Sequence, residues 1–401
     1  MQIAGMIIEY NPMHSGHLYL LEETRRRLGA DTAVIAVMSG NFVQRGDFAL
    51  LRKHARARAA VESGVDLVLE LPLPWAVSSA EGFARGAVET LAATGLVTHL
   101  AFGSECGDAT ALRRLAGVLN TSAWQESLRV QLKRGVGFAE ARQRAVAQCL
   151  PEEAALLATP NNILAVEYCR QLLLLGSPME ILTVARQGAG YHDTAPTEGH
   201  PSATLLRQLA RQGQREEMLS RLPAAMAEAY IREEEAGRAP VLAENAERAI
   251  LGRLRAMSSE ELARLDEGEE GLYRRLQEAI REETSLEAIL QRTKTRRYAY
   301  TRLRRMVLWA YLGLDPARFP AHPPYLRLLA ANARGRTLLA RMRETAHLPV
   351  LTKPADVRQL SAQAQRLFAW EVRATDLYTL AYPSLSAARG GGEWREGPVI
   401  L

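Results

Sequence analysis

The chain has 401 residues, 47% hydrophobic and 24% charged, which is typical of a globular protein of two or three domains. Its formal net charge of +5 allows a polyanionic partner without requiring one. No apolar run approaches the roughly 18 residues of a membrane-spanning helix, and no signal segment precedes the first predicted strand. Three scattered cysteines, Cys106, Cys149 and Cys169, argue against a disulfide framework or a cysteine-held metal. We therefore expect a cytoplasmic protein with no membrane contact.

Strand-like and helix-like segments alternate over the first two hundred residues. Apolar runs predict strands, and amphipathic runs between them predict helices. The predicted strands are 3–8, 32–38, 66–71, 99–102 and 180–185. The predicted helices are 18–28, 48–63, 79–94, 109–119, 126–149 and 162–175. This alternation favours an α/β fold with a doubly wound, Rossmann-like parallel sheet, whose ligands bind at the carboxyl ends of the strands.

The pattern changes after about residue 208. Ala, Leu, Glu and Arg dominate there, and strand signals almost vanish. We therefore predict a ligand-binding α/β domain over 1–208 and a mostly α-helical domain over 209–401. The glycine-rich end, 390–397, predicts a loosely held tail.

The segment 9–18, EYNPMHSGHL, stands between the first predicted strand and the first helix. At such a turn the free N–H groups and the helix dipole favour phosphate, and Gly16 lets the backbone approach a ligand. His14 and His17 can donate to phosphate oxygens and stabilise the charge that builds up in phosphoryl transfer. Their spacing is the H-x-G-H signature of nucleotidyltransferases and class I synthetases. A pair of surface histidines is the alternative, but the position after the first strand favours a site.

Other turns after predicted strands carry further candidates. The loop 39–46, with two glycines and several donors, fits either a loop that closes over a substrate or an ordinary connection. Gly103 allows a base or ribose to lie against the backbone, and Glu105 is either a ribose partner or a rim charge. Asn161 begins a helix, where it either caps the helix or reads an adenine edge.

A second anion site is predicted at Ser202, which begins a helix with Arg207 one turn later. In the H-x-G-H superfamily a Ser/Thr-rich turn with a downstream arginine holds the triphosphate opposite the histidines. Ala203 replaces one hydroxyl here and Pro201 precedes the turn, which weakens the pattern. A capped surface helix is the alternative.

Residues 291–305 contain seven basic side chains, two tyrosines and no acid. Basic residues neutralise nucleic-acid phosphates and aromatic rings stack on unpaired bases, whereas a solvated helix face usually mixes charge signs. The segment therefore predicts an RNA-binding surface. Its candidate contacts are Lys294, Arg296, Arg297, Tyr298 and Arg302.

Over nearly its whole length the chain resembles the tRNA(Met) cytidine acetate ligase family. The resemblance is carried, in order, by EYNP with HSGH, VMSGNFVQRG, GVDLVLELP, FGSE, PNNIL, AR, YHD, SAT and KTRRYAYTRL. It implies an enzyme that activates acetate with ATP as acetyl-adenylate. The acetyl group would then pass to N4 of the wobble cytidine of elongator tRNA(Met), with no obligatory protein partner evident.

The resemblance also implies which residues bind ATP. The first group is the run Ile7, Ile8, Glu9, Tyr10, Asn11, Pro12, Met13, His14, Ser15, Gly16, His17, Leu18, Tyr19 and Leu20. The second group is Gly103, Asn161, Arg186 and Gln187, the last through its backbone because the family often has an apolar residue there. Ser202 also carries over, although the role of its hydroxyl is inferred from its position, and Arg207 is added from its position one turn later. We expect His14 and His17 to be catalytic, at the α- and β-phosphates.

Magnesium is expected to accompany ATP, although no carboxylate pair in the sequence identifies a dedicated metal site. Two alternatives stay open at this point. The first is a small-molecule adenylyltransferase or acid–amine ligase of the same superfamily, which would not need the basic segment 291–305. The second is a tRNA-binding factor without catalysis, against which the intact His14, Gly16 and His17 speak.

Overall fold

The computed structural model describes residues 1–186, 200–266, 271–295 and 298–401. The strands in these ranges are β1 Ile3–Ile8, β2 Ala33–Ser39, β3 Phe42–Val43, β4 Asp47–Phe48, β5 Leu67–Leu71, β6 His99–Ser104, β7 Glu180–Ala185, β8 Leu326–Ala331, β9 Val350–Leu351 and β10 Val399–Ile400. The helices before residue 200 are α1 Ser15–Leu28, α2 Lys53–Glu62, α3 Leu73–Ala76, α4 Ala80–Ala92, α5 Ala109–Leu119, α6 Ser122–Lys133, α7 Phe138–Ala147 and α8 Pro160–Leu174. The later helices are α9 Ala203–Arg211, α10 Arg215–Ser220, α11 Ala224–Glu235, α12 Glu247–Ala256, α13 Ser259–Ala263, α14 Leu272–Glu282, α15 Leu286–Thr293, α16 Tyr300–Leu312, α17 Ala333–Thr345, α18 Ala362–Thr379 and α19 Gly392–Arg395.

Eight of the described strands form one twisted sheet. Its order is β10-β8-β5-β2-β1-β6-β7, with β9 also beside β8. The five strands β5, β2, β1, β6 and β7 run parallel. Because helices cover both faces, the predicted doubly wound, Rossmann-like fold is confirmed. Among the described residues no helix combines the length and apolarity needed to cross a bilayer.

All five strands predicted in the first half are present, within two residues at either end. Two helix predictions are wrong in their extent. The predicted helix 126–149 is two helices, α6 and α7, because Gly135 between them takes a left-handed φ of 80°. The predicted helix 48–63 begins only at Lys53, because Asp47 and Phe48 pair with the strand β3 in a small hairpin.

The C-terminal part returns to the sheet, although strand signals are almost absent from its sequence. β8 pairs antiparallel with β5, and β9 and β10 pair parallel with β8. A short apolar run such as β8 does not stand out among helical segments, which explains why it escaped prediction. The predicted loose tail is wrong as well, because Glu393 is 1% exposed and β10 closes the sheet edge. The boundary at residue 208 stays a prediction, and the sheet draws strands from both sides of it.

Alternating side chains of the central strands bury two apolar layers. Ile35 and Leu69 face a layer formed with α4, α5 and α8, whereas Val34 and Val68 face one formed with α2, α9 and α11. A third apolar cluster fills the helical part, from α12 to α16 with α18, around Trp309. The two layers hold helices against both faces of the sheet.

A buried cluster of four charges joins the two sequence halves. Lys53 Nζ lies 2.7 Å from Glu70 and also contacts Glu393, while Arg327 Nη1 lies 3.2 Å from Glu70 and also contacts Glu393. Each of the four side chains is at most 5% exposed. Burial raises the pKa of Glu393, but the Arg327 and Lys53 charges outweigh it and hold that pKa far below the usual range. The cluster therefore fastens α2, β5, β8 and α19 with paired charges.

Replacing Lys53 by Met should destabilise the fold strongly. The change leaves buried Glu70 and Glu393 with one cation fewer, and breaking a buried pair by removing one partner costs about 3–5 kcal/mol. Urea unfolding measures the free energy. Lys133→Met, at an exposed position on α6, is the matched control and should change it by less than about 0.5 kcal/mol. Equal stabilities of the two variants would contradict the paired-charge interpretation.

Candidate nucleotide site

A cavity opens at the carboxyl ends of β1, β6 and β7, with about 460 Å³ of empty space including its mouth. It brings together residues from four distant segments of the chain. The lining residues are His14, Gly16, His17, Tyr19, Leu20, Gly103, Val184, Ala185, Arg186, His200 and Pro201. The histidine motif, Gly103 and Arg186 therefore meet in one place, as their positions after strands suggest.

The side chains of both motif histidines accept hydrogen bonds from backbone N–H groups at the start of α1, and one of these hydrogen bonds joins His14 to His17. The Gly16 N–H donates to His14 Nδ1 over 3.1 Å, and the His14 N–H donates to His17 Nδ1 over 3.1 Å. Each pair uses one of the N–H groups that a helix start leaves without an intrahelical partner. Because both Nδ1 atoms accept, the proton of each neutral ring is assigned to Nε2. Both imidazoles can thus donate through Nε2–H.

Both imidazoles stay neutral near pH 7. Burial lowers the pKa of His14 to about 3, and the charges of Arg186, His200 and Arg207 add to the effect. Burial also lowers the pKa of His17 well below its usual value, helped by His14 and Arg186. The positive potential of the cavity therefore comes from the arginines and the start of α1, while the histidines act as donors of neutral hydrogen bonds.

A side chain at Gly16 would crowd the imidazole of His14. A Cβ at this position would lie 3.0 Å from His14 Cε1 and 3.1 Å from His14 Nδ1. Gly103 differs, because a Cβ there would meet Arg186 Cγ at an ordinary 3.4 Å. The protein has room for a side chain at this position. Because Gly103 has none, open space remains in front of β6 for a ligand.

The helix α9 follows His200 and Pro201 of the cavity lining and contacts the signature segment directly. Arg207 donates to the Asn11 carbonyl over 2.7 Å and to Thr204 Oγ1 over 3.3 Å. His200 Nδ1 lies 2.8 Å from Ser15 Oγ. The Ser202 hydroxyl accepts from the Leu205 N–H over 3.0 Å and so caps α9. The two predicted anion sites are therefore adjacent, while a phosphate role for Ser202 stays a prediction.

Glu105 has a structural partner at the start of α8. Its carboxylate accepts from the Asn161 N–H over 3.1 Å, the Asn161 side-chain amide over 2.8 Å and the Asn162 N–H over 2.6 Å. Glu105 thus caps α8, a role that the sequence had not suggested. Because the side-chain nitrogen of Asn161 donates to Glu105, the side-chain oxygen of Asn161 is the atom that could accept from an adenine amino group.

Several residues of the run 7–20 support the cavity from behind. Tyr10 is 2% exposed, has a φ of 45° and packs its ring 4.9 Å from that of His17. Asn11 Oδ1 accepts from the Leu50 N–H over 2.7 Å, and Glu9 Oε1 accepts from Ser39 Oγ over 3.1 Å and from the Gln44 N–H over 2.8 Å. The remaining members are Ile7, Ile8, Pro12, Met13 and Leu18. Their predicted ATP contacts stay predictions.

Sequence reasoning missed Arg56, which is fully buried on α2. Its guanidinium donates to the Leu51 carbonyl over 2.9 Å, the Glu9 carbonyl over 2.5 Å, the Ser39 carbonyl over 3.1 Å and also to the Gly40 carbonyl. Burial lowers its pKa to about 10, so the group remains charged. Arg56 thus ties the loops that follow β1 and β2. The sequence feature that could have indicated this role is an arginine among alanines on a predicted helix.

The basic segment is less exposed than its sequence suggests. Tyr298 is 6% exposed within the helical core, so its face is not open to a base. Arg302 pairs with the nearly buried Asp266 over 3.0 Å, and its guanidinium lies 5.4 Å above the Tyr298 ring. Its charge is therefore offset by an acid 36 positions earlier in the chain. Lys294 Nζ donates to the Thr295 carbonyl over 2.6 Å. Arg296, Arg297 and Gln187 lie outside the described residues.

The described residues contain no group of three His, Cys, Asp or Glu side chains that could hold a metal ion. The cavity lining offers imidazole and guanidinium nitrogens, whereas Mg²⁺ prefers oxygen ligands. The carboxylate of Glu105, whose charge acts on Arg186, accepts from backbone N–H groups at the start of α8. This lining does not provide a dedicated magnesium site.

The chain is similar to known proteins over its whole length. The HIGH Nucleotidyl Transferase family matches residues 1–392. A protein of Syntrophomonas wolfei named tRNA(Met) cytidine acetate ligase is 36% identical over 417 residues, covering 100% of this chain and 99% of that protein. The apo crystal structure of Thermotoga maritima TmcAL is 35% identical, covers 100% of both chains and has a TM-score of 0.96. A second TmcAL crystal structure, bound with alpha-thio ATP, is 34% identical, also covers 100% of both chains and has a TM-score of 0.92.

The neutral state of His14 should make folding stability depend on pH in one direction. In the unfolded chain this histidine takes up a proton below about 6.5, whereas in the folded protein it resists protonation down to about 3. The unfolded state therefore binds more protons in this window, so stability present above about pH 6.5 is lost as the pH falls, by up to about 1.4 kcal/mol per pH unit.

The variant His14→Asn keeps a capping side chain and removes the titrating group. Between pH 6 and pH 4 its free energy of unfolding, from urea titrations, should fall less steeply than that of the wild type. His347→Asn, at an exposed position, is the control and should keep the wild-type slope. Identical slopes for all three proteins would show that His14 titrates normally.

Proposed function

Because the chain belongs to the HIGH nucleotidyl transferase family, and within it to the tRNA(Met) cytidine acetate ligase family, we propose that its cavity activates acetate with ATP and serves acetylation of tRNA. One observation carries the proposal. His14 and His17, both neutral, are held through Nδ1 at the start of α1, which leaves two Nε2–H donors at a cavity lined by Gly103 and Arg186. Donors fixed in this way suit phosphate oxygens that gain charge during a reaction.

The nucleotide is assigned to this cavity by the residues around it. Alpha-thio ATP is bound in a crystal structure of a TmcAL chain that is 34% identical over its full length, which supports ATP as the ligand here. We assign the α- and β-phosphates to His14 and His17, and the triphosphate to the space between Arg186 and Arg207. The base lies toward Gly103 and Asn161, where space and a carbonyl acceptor are available.

The first step needs no nucleophile from the protein. Acetate is already an anion near pH 7, and one of its oxygens attacks the α-phosphorus. A new P–O bond forms as the bond to the β-phosphate bridge breaks, so pyrophosphate leaves and acetyl-adenylate remains. The protein contributes position and donors for the charge that shifts to the pyrophosphate.

The second step transfers the acetyl group. N4 of the wobble cytidine attacks the acetyl carbonyl, AMP leaves, and the amine loses one proton. The target base must leave the stack of the anticodon loop to reach the adenylate. With elongator tRNA(Met) as its substrate, the protein would work in the cytoplasm. Magnesium, when it accompanies ATP, is assigned to the phosphates of the nucleotide, whose charge it would partly neutralise.

Pyrophosphate release from ATP should depend on acetate, and His17→Ala should reduce it by about 10²–10³-fold because the charged phosphates are left with one donor fewer. The coupled pyrophosphate assay is run with and without tRNA. His322→Ala, whose side chain is 74% exposed, is the matched control. A rate that ignores acetate and follows a larger acid or an amine would identify a small-molecule ligase instead. A normal rate in well-folded His17→Ala would remove this histidine from the mechanism.

Asn161→Ala should raise the KM for ATP more than it changes the affinity for tRNA, because the side chain is assigned to the base. Its contact with Glu105 also caps α8, so thermal unfolding is measured alongside. Asn120→Ala, whose side chain accepts from Arg170 away from the cavity, is the control. Equal losses in ATP KM and tRNA affinity would reduce Asn161 to a structural cap.

The basic segment should bind tRNA. Replacing Arg296 and Arg297 by Ala should weaken tRNA binding and flatten its salt dependence by about 0.7–0.9 log–log units for each phosphate that the protein no longer neutralises. Arg302 is left intact, because it forms an ion pair with Asp266, whose side chain is only 3% exposed, and its loss would also affect folding. Acetate-dependent pyrophosphate release should survive.

The matched control for this double variant replaces Lys133 and Arg134, which are exposed at the C-terminal end of α6. Binding is measured across a salt series for both double variants. If the two series coincide with that of the wild type, tRNA binds elsewhere.

A further inference from the structure

A third imidazole, that of His200, borders on the nucleotide cavity beside the histidine motif. Its Nδ1 lies 2.8 Å from the hydroxyl of Ser15, which stands between the two motif histidines. A Cβ at Gly16 would come within 3.4 Å of the His200 Cβ, so His200 packs directly against the first turn of α1. The fold therefore brings to the cavity one imidazole that the H-x-G-H motif does not contain.

His200 lies between the starts of two helices. Ser15 is the first residue of α1, and Ser202, two positions after His200, is the N-cap of α9. The cavity lining includes Gly16 in the first turn of α1 and Pro201 directly before the cap of α9. Because free N–H groups and the helix dipole favour anions at both starts, this side of the cavity suits the charged end of a nucleotide.

The contact with Ser15 determines which ring nitrogen of His200 is available to a ligand. A hydroxyl hydrogen donated to Nδ1 puts the ring proton on Nε2, and a charged imidazole also carries a proton there, so we assign an Nε2–H donor to His200. Among the described residues, none accepts a hydrogen bond from Nε2. The Tyr19 ring, whose centre lies 5.8 Å away, packs beside the imidazole. Protein contacts thus orient the ring and leave one donor for the cavity.

Positive charge surrounds this donor. The charges that help to lower the pKa of His14 come from Arg186, His200 and Arg207, so all three act on the same part of the cavity. Within the described part of the chain, no carboxylate lies at ion-pair distance from His200. A ligand group that carries several negative charges would offset this potential, whereas a nucleoside would not. The surroundings of His200 therefore favour phosphates over the base and ribose.

We propose that His200 binds the β- and γ-phosphates of ATP through Nε2–H and holds the pyrophosphate as it leaves. The inference rests on the proposed function, which assigns the α- and β-phosphates to His14 and His17 and leaves the far end of the triphosphate to arginines. When the bond between the α-phosphorus and the bridging oxygen breaks, its electron pair goes to the pyrophosphate. A donor fixed at that group stabilises the added charge. AMP lacks both phosphates and does not reach His200.

The number of phosphates in the ligand tests the assignment. Isothermal titration calorimetry measures binding of ATP and of AMP to the full-length protein, with neither acetate nor tRNA present. His200→Ala should weaken ATP binding about tenfold or more, the effect expected of losing a hydrogen bond to a charged group, and leave AMP binding within about twofold of the wild type. His347→Ala is the matched control at an exposed histidine, beside the loop after α4, and should bind both nucleotides normally.

Two amide variants separate the roles of the two ring nitrogens. His200→Asn keeps a polar group near the position of Nδ1, within reach of Ser15, whereas His200→Gln places its amide near the position of Nε2. The proposal expects His200→Gln to retain most of the ATP affinity and His200→Asn to bind ATP as weakly as His200→Ala. Wild-type ATP affinity in His200→Asn overturns the proposal, as do equal losses of ATP and AMP affinity in His200→Ala.

The pyrophosphate assay keeps this inference distinguishable from the proposed function. Acetate-dependent release should fall about tenfold or more in His200→Ala, with thermal unfolding measured alongside to confirm the fold. Wild-type release and ATP affinity in a well-folded His200→Ala overturn the inference and leave the proposed function standing. If the wild-type protein releases no acetate-dependent pyrophosphate, the proposed function falls, whereas an ATP-specific loss of affinity in His200→Ala still supports His200 as a phosphate-binding residue.

Discussion

The site depends on the reciprocal hydrogen bonds between two imidazoles and the first turn of α1. Each Nδ1 accepts from a backbone N–H, which fixes the ring orientation and the tautomer together. A histidine that is free to rotate offers its donor in many directions, whereas these two offer theirs in one. The low pKa of His14 follows from the same burial, so the donor exists across the ordinary pH range without carrying a charge that would bind phosphate indiscriminately.

The capping pair is only as rigid as the loops beneath it. The Arg56 guanidinium donates to carbonyl groups at the ends of β1 and β2. The Glu9 carboxylate, which follows β1, accepts from Ser39 and Gln44 at the end of β2 and in the loop after it. A buried guanidinium satisfied by carbonyls is costly to disturb, because each carbonyl would lose its donor away from water. The same loops also contact α16, which connects the geometry of the nucleotide cavity to the helical part of the protein.

The sequence predicted what depends on local order and missed what depends on distant partners. The five parallel strands and the histidine motif could be found because hydrophobic runs and a turn motif are local patterns. Glu105 could not be assigned, since its partners Asn161 and Asn162 are more than fifty positions away. The absence of acids near Arg302 in the sequence misled for the same reason, because Asp266 reaches it in space. β8 was missed because its six residues, five of them apolar, carry no periodicity that distinguishes a strand from a buried helix.

The late arrival of β8 has a consequence for synthesis on the ribosome. β5 ends at Leu71, while its antiparallel neighbour begins at Leu326, so at elongation rates of about 5–20 residues per second the edge of β5 stays unpaired for tens of seconds. An apolar strand with an open edge is a template for pairing with another nascent chain. Glu70 is the fourth of the five residues of β5, and its charge discourages such pairing until Arg327 arrives as its register partner. The acid that joins the finished protein would thus also protect the unfinished one from aggregation.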